Sequence, residues 1–283
     1  MHSLKLGKFS LTIVSDGTYY LDAGAMFGVV PKTLWSMKYT PDEQNRMSCG
    51  TNSVLVRGGE KTVLIETGIG NKLGKLDAIY EPKHQLLNNL RSAGVQPEEI
   101  DIVINSHLHF DHCGWNTVIG AGGKAQPTFP KAQYYAQHGE WEHAQEQHER
   151  DRISYISDNY NPLIESGQMT LLRGNADICD GVRVQVFPGH TRWMQAIYIE
   201  SEGQTACYIS DLIPTSMHLD LGWVMAYDVY PLETIDSRKR YYQHALNTPD
   251  APHRFLTIFT HDHATPWAWL HKNERGRVIA EAA

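Results

Sequence analysis

Residues 106–114, Ser-His-Leu-His-Phe-Asp-His-Cys-Gly, contain the densest group of side chains that could bind a metal. Four such side chains fall within six positions: His107, His109, Asp111 and His112. Imidazole nitrogen and carboxylate oxygen suit zinc, iron, manganese or cobalt, and the lack of thiolates argues against a closed structural zinc site. Chance could produce one His-x-His pair on a surface loop, but it is a poor explanation for the whole run. The segment therefore predicts a metal site.

A short apolar run, Ile102 to Ile104, comes just before these residues and predicts a buried strand. In an extended strand end, His107, His109 and Asp111 would point to one side because side chains alternate with period two. A turn at Asp111 and His112 would let two subsets of the group face different ions.

A weak internal duplication provides the elements that could position this group. Residues 53–68 and 196–211 each predict a hairpin, and the hairpins end in the acids Glu66 and Asp211. Later in each half, a short apolar run stops at a histidine, His107 or His261. Helices are predicted over residues 84–93 and 133–152. This pattern favours an α/β protein with two similar halves, whose sheets pack face to face with helices outside.

Composition limits the class of function. The chain has 283 residues and a formal charge of −7, from 25 basic and 32 acidic side chains, which argues against a nucleic-acid partner. The four cysteines form no CxxC pair, and no apolar stretch is long enough to span a bilayer. We therefore expect a cytoplasmic protein with no membrane partner. Exposed aromatic segments near the N-terminus are compatible with a homodimer.

Across nearly the whole chain, the motifs resemble those of the metallo-β-lactamase superfamily. Its signature, His-x-His-x-Asp-His followed by a distant His, Asp and His, matches residues 107–112, then His190, Asp211 and His261. The resemblance implies an αββα sandwich with the metal site at the edge of its β-sheets. It also implies two divalent ions, zinc in preference to iron, manganese or cobalt. One ion would be held by His107, His109 and His190, the other by Asp111, His112 and His261, with Asp211 bridging both.

The Ser-His-x-His-x-Asp-His-x-Gly run and the terminal His-Asp are most similar to the N-acyl homoserine lactone lactonase, 4-pyridoxolactonase and methyl parathion hydrolase group. That likeness implies a hydrolase whose metal-bridging hydroxide attacks a small lactone or ester, with Asp111 and Asp211 as catalytic residues. The lactonases carry a tyrosine three residues after the bridging Asp, where this chain has Pro214. Tyr227 or Tyr230 could replace it in space, and a phosphotriesterase or aryl esterase remains the alternative.

Two further alternatives arise at the metal site itself. His263 competes with His261 for the last position because residues two apart in an extended segment face the same way, although the His-Asp pairing of the relatives favours His261. The same fold also houses non-heme iron oxidoreductases. The presence of Asp111, His112 and His261 favours hydrolysis over the single-iron dioxygenases.

Large apolar side chains close in sequence to the motifs predict a partly apolar pocket for a small molecule. The predicted substrate-binding residues are Phe27, Trp115, Trp193, Met217, Trp223 and Tyr227. We treat residues 1–283 as a single domain, in which residues 1–50 form a strand plus a segment that covers the site. We expect surface positions for the remaining histidines outside the motifs: His84, His138, His143, His148, His218, His244, His253 and His271.

Overall fold

The computed structural model describes residues 2–246 and 255–283. Their strands are β1 (Ser3–Leu6), β2 (Phe9–Ile13), β3 (Thr18–Asp22), β4 (Arg46–Gly50), β5 (Val54–Arg57), β6 (Val63–Ile65), β7 (Ile102–Ile104), β8 (Thr117–Ile119), β9 (Ala125–Pro127), β10 (Gln133–Gln137), β11 (Met169–Leu172), β12 (Ala176–Cys179), β13 (Val182–Val186), β14 (Gln195–Ser201), β15 (Gln204–Tyr208), β16 (Phe255–Ile258), β17 (Trp267–Lys272) and β18 (Val278–Ala282). The α-helices are α1 (Ala23–Phe27), α2 (Lys32–Trp35), α3 (Asp77–Tyr80), α4 (Leu86–Ser92), α5 (Phe110–Cys113), α6 (His138–Glu146), α7 (Asn161–Glu165) and α8 (Pro231–Ala245).

Two seven-stranded sheets form the body of the molecule. The first has the order β1-β2-β5-β6-β7-β10-β11, and the second has the order β12-β13-β14-β15-β16-β17-β18. Two smaller pairs, β3-β4 and β8-β9, stand apart from them. In each half an antiparallel hairpin, β5-β6 or β14-β15, is followed by a strand that pairs with it in parallel, β7 or β16. The predicted duplication is therefore present in the topology.

The apolar side chains fill three layers, as a sandwich requires. Strand β7 shows why: Ile102 and Ile104 face the core between the sheets, whereas Val103 faces the outer core under the helices. That outer core of the first sheet includes Leu86 and Leu90 of α4, and the outer core of the second sheet includes Tyr241 of α8. The predicted α/β sandwich of two similar halves is confirmed.

One predicted helix, over residues 133–152, is correct only in its middle part, His138–Glu146, and wrong at both ends. Residues 133–152 were expected to be helical, but Gln133–Gln137 form β10, which pairs in parallel with β7 and β11. Tyr134 and Ala136 are buried in the outer core, so strand pairing and burial outweigh the helix propensity of this segment. Helix α6 begins only at His138. The other predicted helix, over residues 84–93, is α4.

In the described residues, 2–246 and 255–283, no helix is long and apolar enough to cross a bilayer.

Candidate metal centre

The motif residues lie where the chain leaves β7 and enters α5. His107 and His109 precede the helix, and Asp111 and His112 lie within it. Gly114 then lets this loop pack closely against residues 67–70, since a Cβ at that position would lie 1.8 Å from the carbonyl oxygen of Ile69. Any larger residue would push the motif loop away from that backbone.

His107, His109 and His190 form a first, fully buried cluster. Nδ1 of His109 lies 3.0 Å from Nε2 of His107 and 3.1 Å from Nε2 of His190. Burial and the neighbouring imidazoles hold the pKa of His107 and His109 well below the usual range. Neutral imidazoles whose nitrogens converge in this way present lone pairs to one point, as metal ligands do.

Asp111, His112 and His261 form a second cluster, and Asp211 lies between the two. Nε2 of His261 is 3.1 Å from Oδ1 of Asp211 and 3.7 Å from Oδ2 of Asp111. The other oxygen of Asp211 is 3.2 Å from Nε2 of His190 and 3.4 Å from Nε2 of His112. Asp211 therefore faces both clusters, which is the position of a bridging carboxylate.

Two carboxylates, Asp111 and Asp211, concentrate negative charge at the second cluster. Burial alone would lower the pKa of His112, but Asp211 and Asp111 outweigh it and raise that pKa well above its usual range. Two buried carboxylates need a compensating cation, and a proton on His112 supplies it when nothing else does. A bound divalent ion would supply that charge instead and leave His112 neutral.

Residues outside the two clusters contact three of the imidazoles and fix their orientation. Glu66 accepts a hydrogen bond from the backbone nitrogen of Ser106 at 2.9 Å, and its Oε1 is 3.4 Å from Nδ1 of His112. Nδ1 of His190 is 3.1 Å from Oδ1 of Asp228, and Nδ1 of His261 donates to the carbonyl of Gly50 at 2.7 Å. Partners on Nδ1 turn Nε2 of each ring toward the clusters, as in many metalloproteins.

Unpartnered buried atoms test whether these residues fit metal ions. Within the described part of the chain, Nε2 of His112 and Oδ1 of Asp211 are buried and form no hydrogen bond of acceptable geometry, although each lies within 3.4 Å of an atom of the opposite charge. Buried polar atoms are rarely left so, unless an ion or water completes them. The nitrogen and oxygen donors are those that zinc and its first-row neighbours accept. The two clusters therefore fit divalent cations.

A cavity of about 160 Å³ opens onto the clusters. Asp111, Asp211, His109, His190 and His261 form its base. Its walls combine apolar and aromatic side chains with a polar stretch from residues 150–154: Tyr19, Leu21, Met26, Tyr80, Phe110, Arg150, Asp151, Ile153, Ser154, Met225 and Tyr227. This mixture is typical of a site for a small, partly apolar molecule.

Of the six predicted substrate-binding residues, Tyr227 lines this cavity and the other five do not. Phe27 is buried between Trp35 and His218, and the indole nitrogen of Trp115 donates to Asp16 in the outer core at 2.9 Å. Burial for packing thus explains both residues.

The other three sit on nearby surfaces. Trp193 is 39% exposed and packs on Gly139, where a Cβ would lie 2.3 Å from the indole. Met217 and Trp223 are partly buried against the cluster that contains α1 and α2. Tyr230, the other candidate for the lactonase tyrosine, stacks under the guanidinium of Arg192 at 4.3 Å and is not part of the cavity wall.

Sequence patterns missed most of the cavity wall. Tyr19 is the clearest omission: it is fully buried, and its hydroxyl donates to Oδ2 of Asp111 at 2.6 Å. Burial and the nearby Asp111 raise its pKa well above the usual range, so it stays protonated. Because the two residues are 92 positions apart, no local pattern could join them. Phe110 could have been found, since it lies inside the motif itself.

One histidine contradicts the expected surface position. His218 is fully buried: Nε2 donates to the carbonyl of Met26 at 2.9 Å, and Nδ1 is 2.7 Å from Oγ1 of Thr215. Four others, His84, His138, His143 and His271, are partly buried, and His143 pairs with Asp151 at 2.7 Å. His253 lies outside the described residues. The rival ligand His263 is exposed, whereas His261 is buried in the second cluster.

Comparison with known proteins relates this geometry to a family. A model of the metallo-β-lactamase superfamily matches residues 47–274. An N-acyl homoserine lactonase from a Bacillus species is 27% identical over 161 residues, which are 52% of this chain and 57% of the lactonase. The match thus spans a little over half the length of that relative.

Two solved structures share the whole fold. A probable metal-dependent hydrolase from Staphylococcus aureus is 27% identical, with a TM-score of 0.83 over 99% of both chains. A dizinc quorum-quenching lactonase, solved with a bound product, is 20% identical, with a TM-score of 0.79 over 100% of this chain and 97% of its own. The family model, the duplicated sandwich and the buried His and Asp clusters agree, and the chain belongs to the metallo-β-lactamase superfamily.

Proposed function

We propose that the chain is a metal-dependent hydrolase that binds two divalent ions and cleaves a small, partly apolar lactone or ester. The observation that carries this proposal is the meeting of two donor clusters at Asp211, whose Oδ2 lies near both clusters and whose Oδ1 lies near the second. Zinc is the expected metal, with iron, manganese and cobalt as alternatives.

Each residue has a stated part in this proposal. His107, His109 and His190 would hold one ion, and Asp111, His112 and His261 the other, with Asp211 shared. Two ions at such a site acidify a water molecule and polarise the scissile carbonyl. Asp111 and Asp211 line the cavity, so their carboxylates can orient the attacking water and accept its proton.

The cavity wall supports a substrate with an apolar part. Leu21, Met26, Phe110 and Met225 would pack against that part and exclude water from it. The curated relatives are N-acyl homoserine lactonases, and the dizinc structural neighbour holds a lactonase product. Acyl lactones are therefore the first substrates to test.

A second candidate, cleavage of phosphotriesters or aryl esters, is favoured by Pro214. The lactonases carry a tyrosine at that position, whereas here the backbone carbonyl of Pro214 accepts a hydrogen bond from the nitrogen of His261 at 2.9 Å. A proline cannot supply a hydroxyl to the substrate carbonyl. Of the two tyrosines expected to replace the lactonase tyrosine, Tyr227 lines the cavity and Tyr230 does not, so Tyr227 is the one of the two that could take over this part.

The test combines elemental analysis with a substrate panel. Metal-reconstituted protein is assayed on acyl lactones, aryl esters, phosphotriesters and β-lactams, and its metals are counted. We expect two ions per chain and the highest kcat/KM on a lactone or ester. Preference for a phosphotriester would select the second candidate. A single iron with oxygen consumption and no hydrolysis would contradict both.

A further inference from the structure

Strands β3 and β4, which pair with each other across the segment that contains α1 and α2, belong to neither main sheet, yet the β3-β4 pair reaches the second cluster at two points. From β3, the hydroxyl of Tyr19 donates to Oδ2 of Asp111 at 2.6 Å. From the end of β4, the carbonyl of Gly50 accepts a hydrogen bond from Nδ1 of His261 at 2.7 Å. The β3-β4 pair thus forms hydrogen bonds with two of the three members of that cluster.

Tyr19 donates its hydrogen bond to the oxygen of Asp111 that faces the rest of the second cluster. Oδ2 of Asp111 is the atom that faces the other members of the cluster, at 3.8 Å from Nε2 of His112 and 3.7 Å from Nε2 of His261. A carboxylate oxygen has two lone pairs, so one can accept from Tyr19 while the other remains free for an ion. Without that donor, the terminal torsion of an aspartate has a broad range of orientations.

Packing fixes the tyrosine itself. Its side chain is fully buried, and its ring lies 5.8 Å from the ring of His261 and 6.3 Å from that of Tyr80. Glu66 and Asp228 have a similar relation to His112 and His190, but each of them orients an imidazole. Tyr19 is the counterpart that orients a carboxylate.

We propose that Tyr19 is a positioning residue whose hydroxyl holds Asp111 in the orientation that the second metal ion requires. This inference rests on the proposed two-ion function. The first cluster contains neither Asp111 nor His261, so the β3-β4 pair would affect binding of the second ion and not of the first.

The test is a metal titration of Tyr19→Phe, which keeps the buried ring and removes only the hydroxyl. Metal-free protein is titrated with zinc, and in parallel with cobalt, whose absorption spectrum reports the ligand geometry of each ion. Loss of a residue that hydrogen-bonds to a metal ligand typically weakens metal binding about 10- to 100-fold. We therefore expect the affinity for the second ion to fall by that factor. The first ion should bind as in the unmodified chain.

The matched control is Tyr20→Phe on the same strand. Tyr20 packs against the guanidinium of Arg46, 4.4 Å from its ring, and does not line the cavity. It should leave both zinc affinities unchanged. Thermal melting of the metal-free variants separates loss of the fold from loss of the ion, and a Tyr19→Leu variant, which lacks the hydroxyl and adds neither volume nor a new donor, provides a second test if Tyr19→Phe does not fold.

Three results would overturn the proposal. Equal weakening of both ions together with a lower melting temperature would indicate a purely structural role. Unchanged affinities with reduced kcat would indicate that the hydroxyl acts on the substrate, and unchanged affinities with unchanged kcat would indicate no role. If the unmodified chain binds fewer than two ions, the two-ion function itself is wrong. Titration of the unmodified chain thus separates failure of the two-ion function from failure of the proposed role of Tyr19.

Discussion

The two halves of the sandwich supply the candidate metal ligands in different ways. The first half contributes four of them from one short run, residues 107–112. The second half contributes His190, Asp211 and His261 from three separate loops, after β13, β15 and β16. A compact motif can be positioned by its own backbone, whereas three separate loops must be held together by contacts from elsewhere in the fold.

The two halves use different buried side chains to hold the backbone near their ligands. In the first half, Asp16 accepts hydrogen bonds from the nitrogens of Ile69 and Leu86 at 3.0 and 2.8 Å, which fixes the backbone against which the motif loop packs. In the second half, a fully buried Arg238 donates to the carbonyls of Leu212, His218 and Trp223. One buried cation thus fixes the segment that follows Asp211. Each half therefore depends on one buried charged side chain that is distant in sequence from the ligands, Asp16 in the first half and Arg238 in the second, and the predictions below test how each half holds its ligands.

The largest effect is expected in the first half, at His109. His109→Ala removes the nitrogen that lies within 3.1 Å of both His107 and His190. We expect hydrolysis to fall to background and bound metal to fall below two ions per chain, because the first cluster loses a donor that no neighbour can replace. Elemental analysis and initial rates measure both. Equal metal content in the variant and the unmodified chain would contradict this assignment.

In the second half, Arg238→Met should cost the most stability. The change leaves several buried carbonyls without a donor, and Asp228 loses a nearby positive charge. Breaking such a network typically costs about 3 kcal/mol or more in the free energy of unfolding. Urea denaturation of the metal-free chain measures it.

Lys239→Met is the matched control for that experiment. Lys239 is the next residue on α8, and its ammonium pairs with Asp236 on the exposed surface. We expect a change of about 0.5 kcal/mol or less. If both variants unfolded at the same urea concentration, Arg238 would not be the support of the second half.

A smaller effect is expected at Asp228, which orients the imidazole of His190 in the second half. Asp228→Asn keeps an acceptor for His190 but removes the negative charge next to Nδ1. We expect the affinity for the first ion to fall about 10-fold, the lower end of what such partners contribute. Zinc titration measures it, with the exposed Asp236→Asn on α8 as the control. An unchanged affinity would show that the carboxylate charge is dispensable there.

The buried His218 makes the second half sensitive to acid. Burial lowers the pKa of His218 from 6.5 to about 3, so between these values the unfolded chain binds the proton and the folded chain does not. The free energy of unfolding should therefore decrease as pH falls from 6.5 toward 3, by up to about 1.4 kcal/mol per pH unit. The stability contributed by this group is fully present above pH 6.5.

Other groups also titrate in that range, so the measurement is a difference. Urea denaturation of the unmodified chain and of His218→Gln is compared at several pH values, and His244→Gln, at an exposed position, is the control. The difference between the unmodified chain and His218→Gln should narrow as pH falls. A constant difference would mean that His218 does not govern this part of the acid response.

The contrast between the halves also explains what the sequence could predict. The motif at residues 107–112 and the duplicated hairpins depend on spacing and alternation, so the sandwich of two similar halves followed from them, whereas the grouping of the candidate ligands followed from the resemblance to the superfamily. Tyr19, Arg238 and His218 act through contacts with residues distant in sequence, which no local pattern records. Large apolar residues were similarly ambiguous, because the same side chains can fill a core or line a cavity.

The smallest effect tests that ambiguity directly. Trp193 and Tyr227 were both predicted to bind substrate, but only Tyr227 lines the cavity, whereas Trp193 packs outside it on Gly139. Trp193→Phe keeps an aromatic ring on that surface, and we expect kcat/KM to change less than about 2-fold, an effect well below 1 kcal/mol. Tyr227→Phe removes a hydroxyl from the cavity wall, and we expect a larger decrease, because a lost hydrogen bond to a neutral group is worth about 1 kcal/mol or about 5-fold. Steady-state kinetics on the best substrate of the panel measures both variants. A larger effect at Trp193 than at Tyr227 would place the substrate against Trp193, outside the cavity, and would contradict the assignment of Tyr227 to the substrate site.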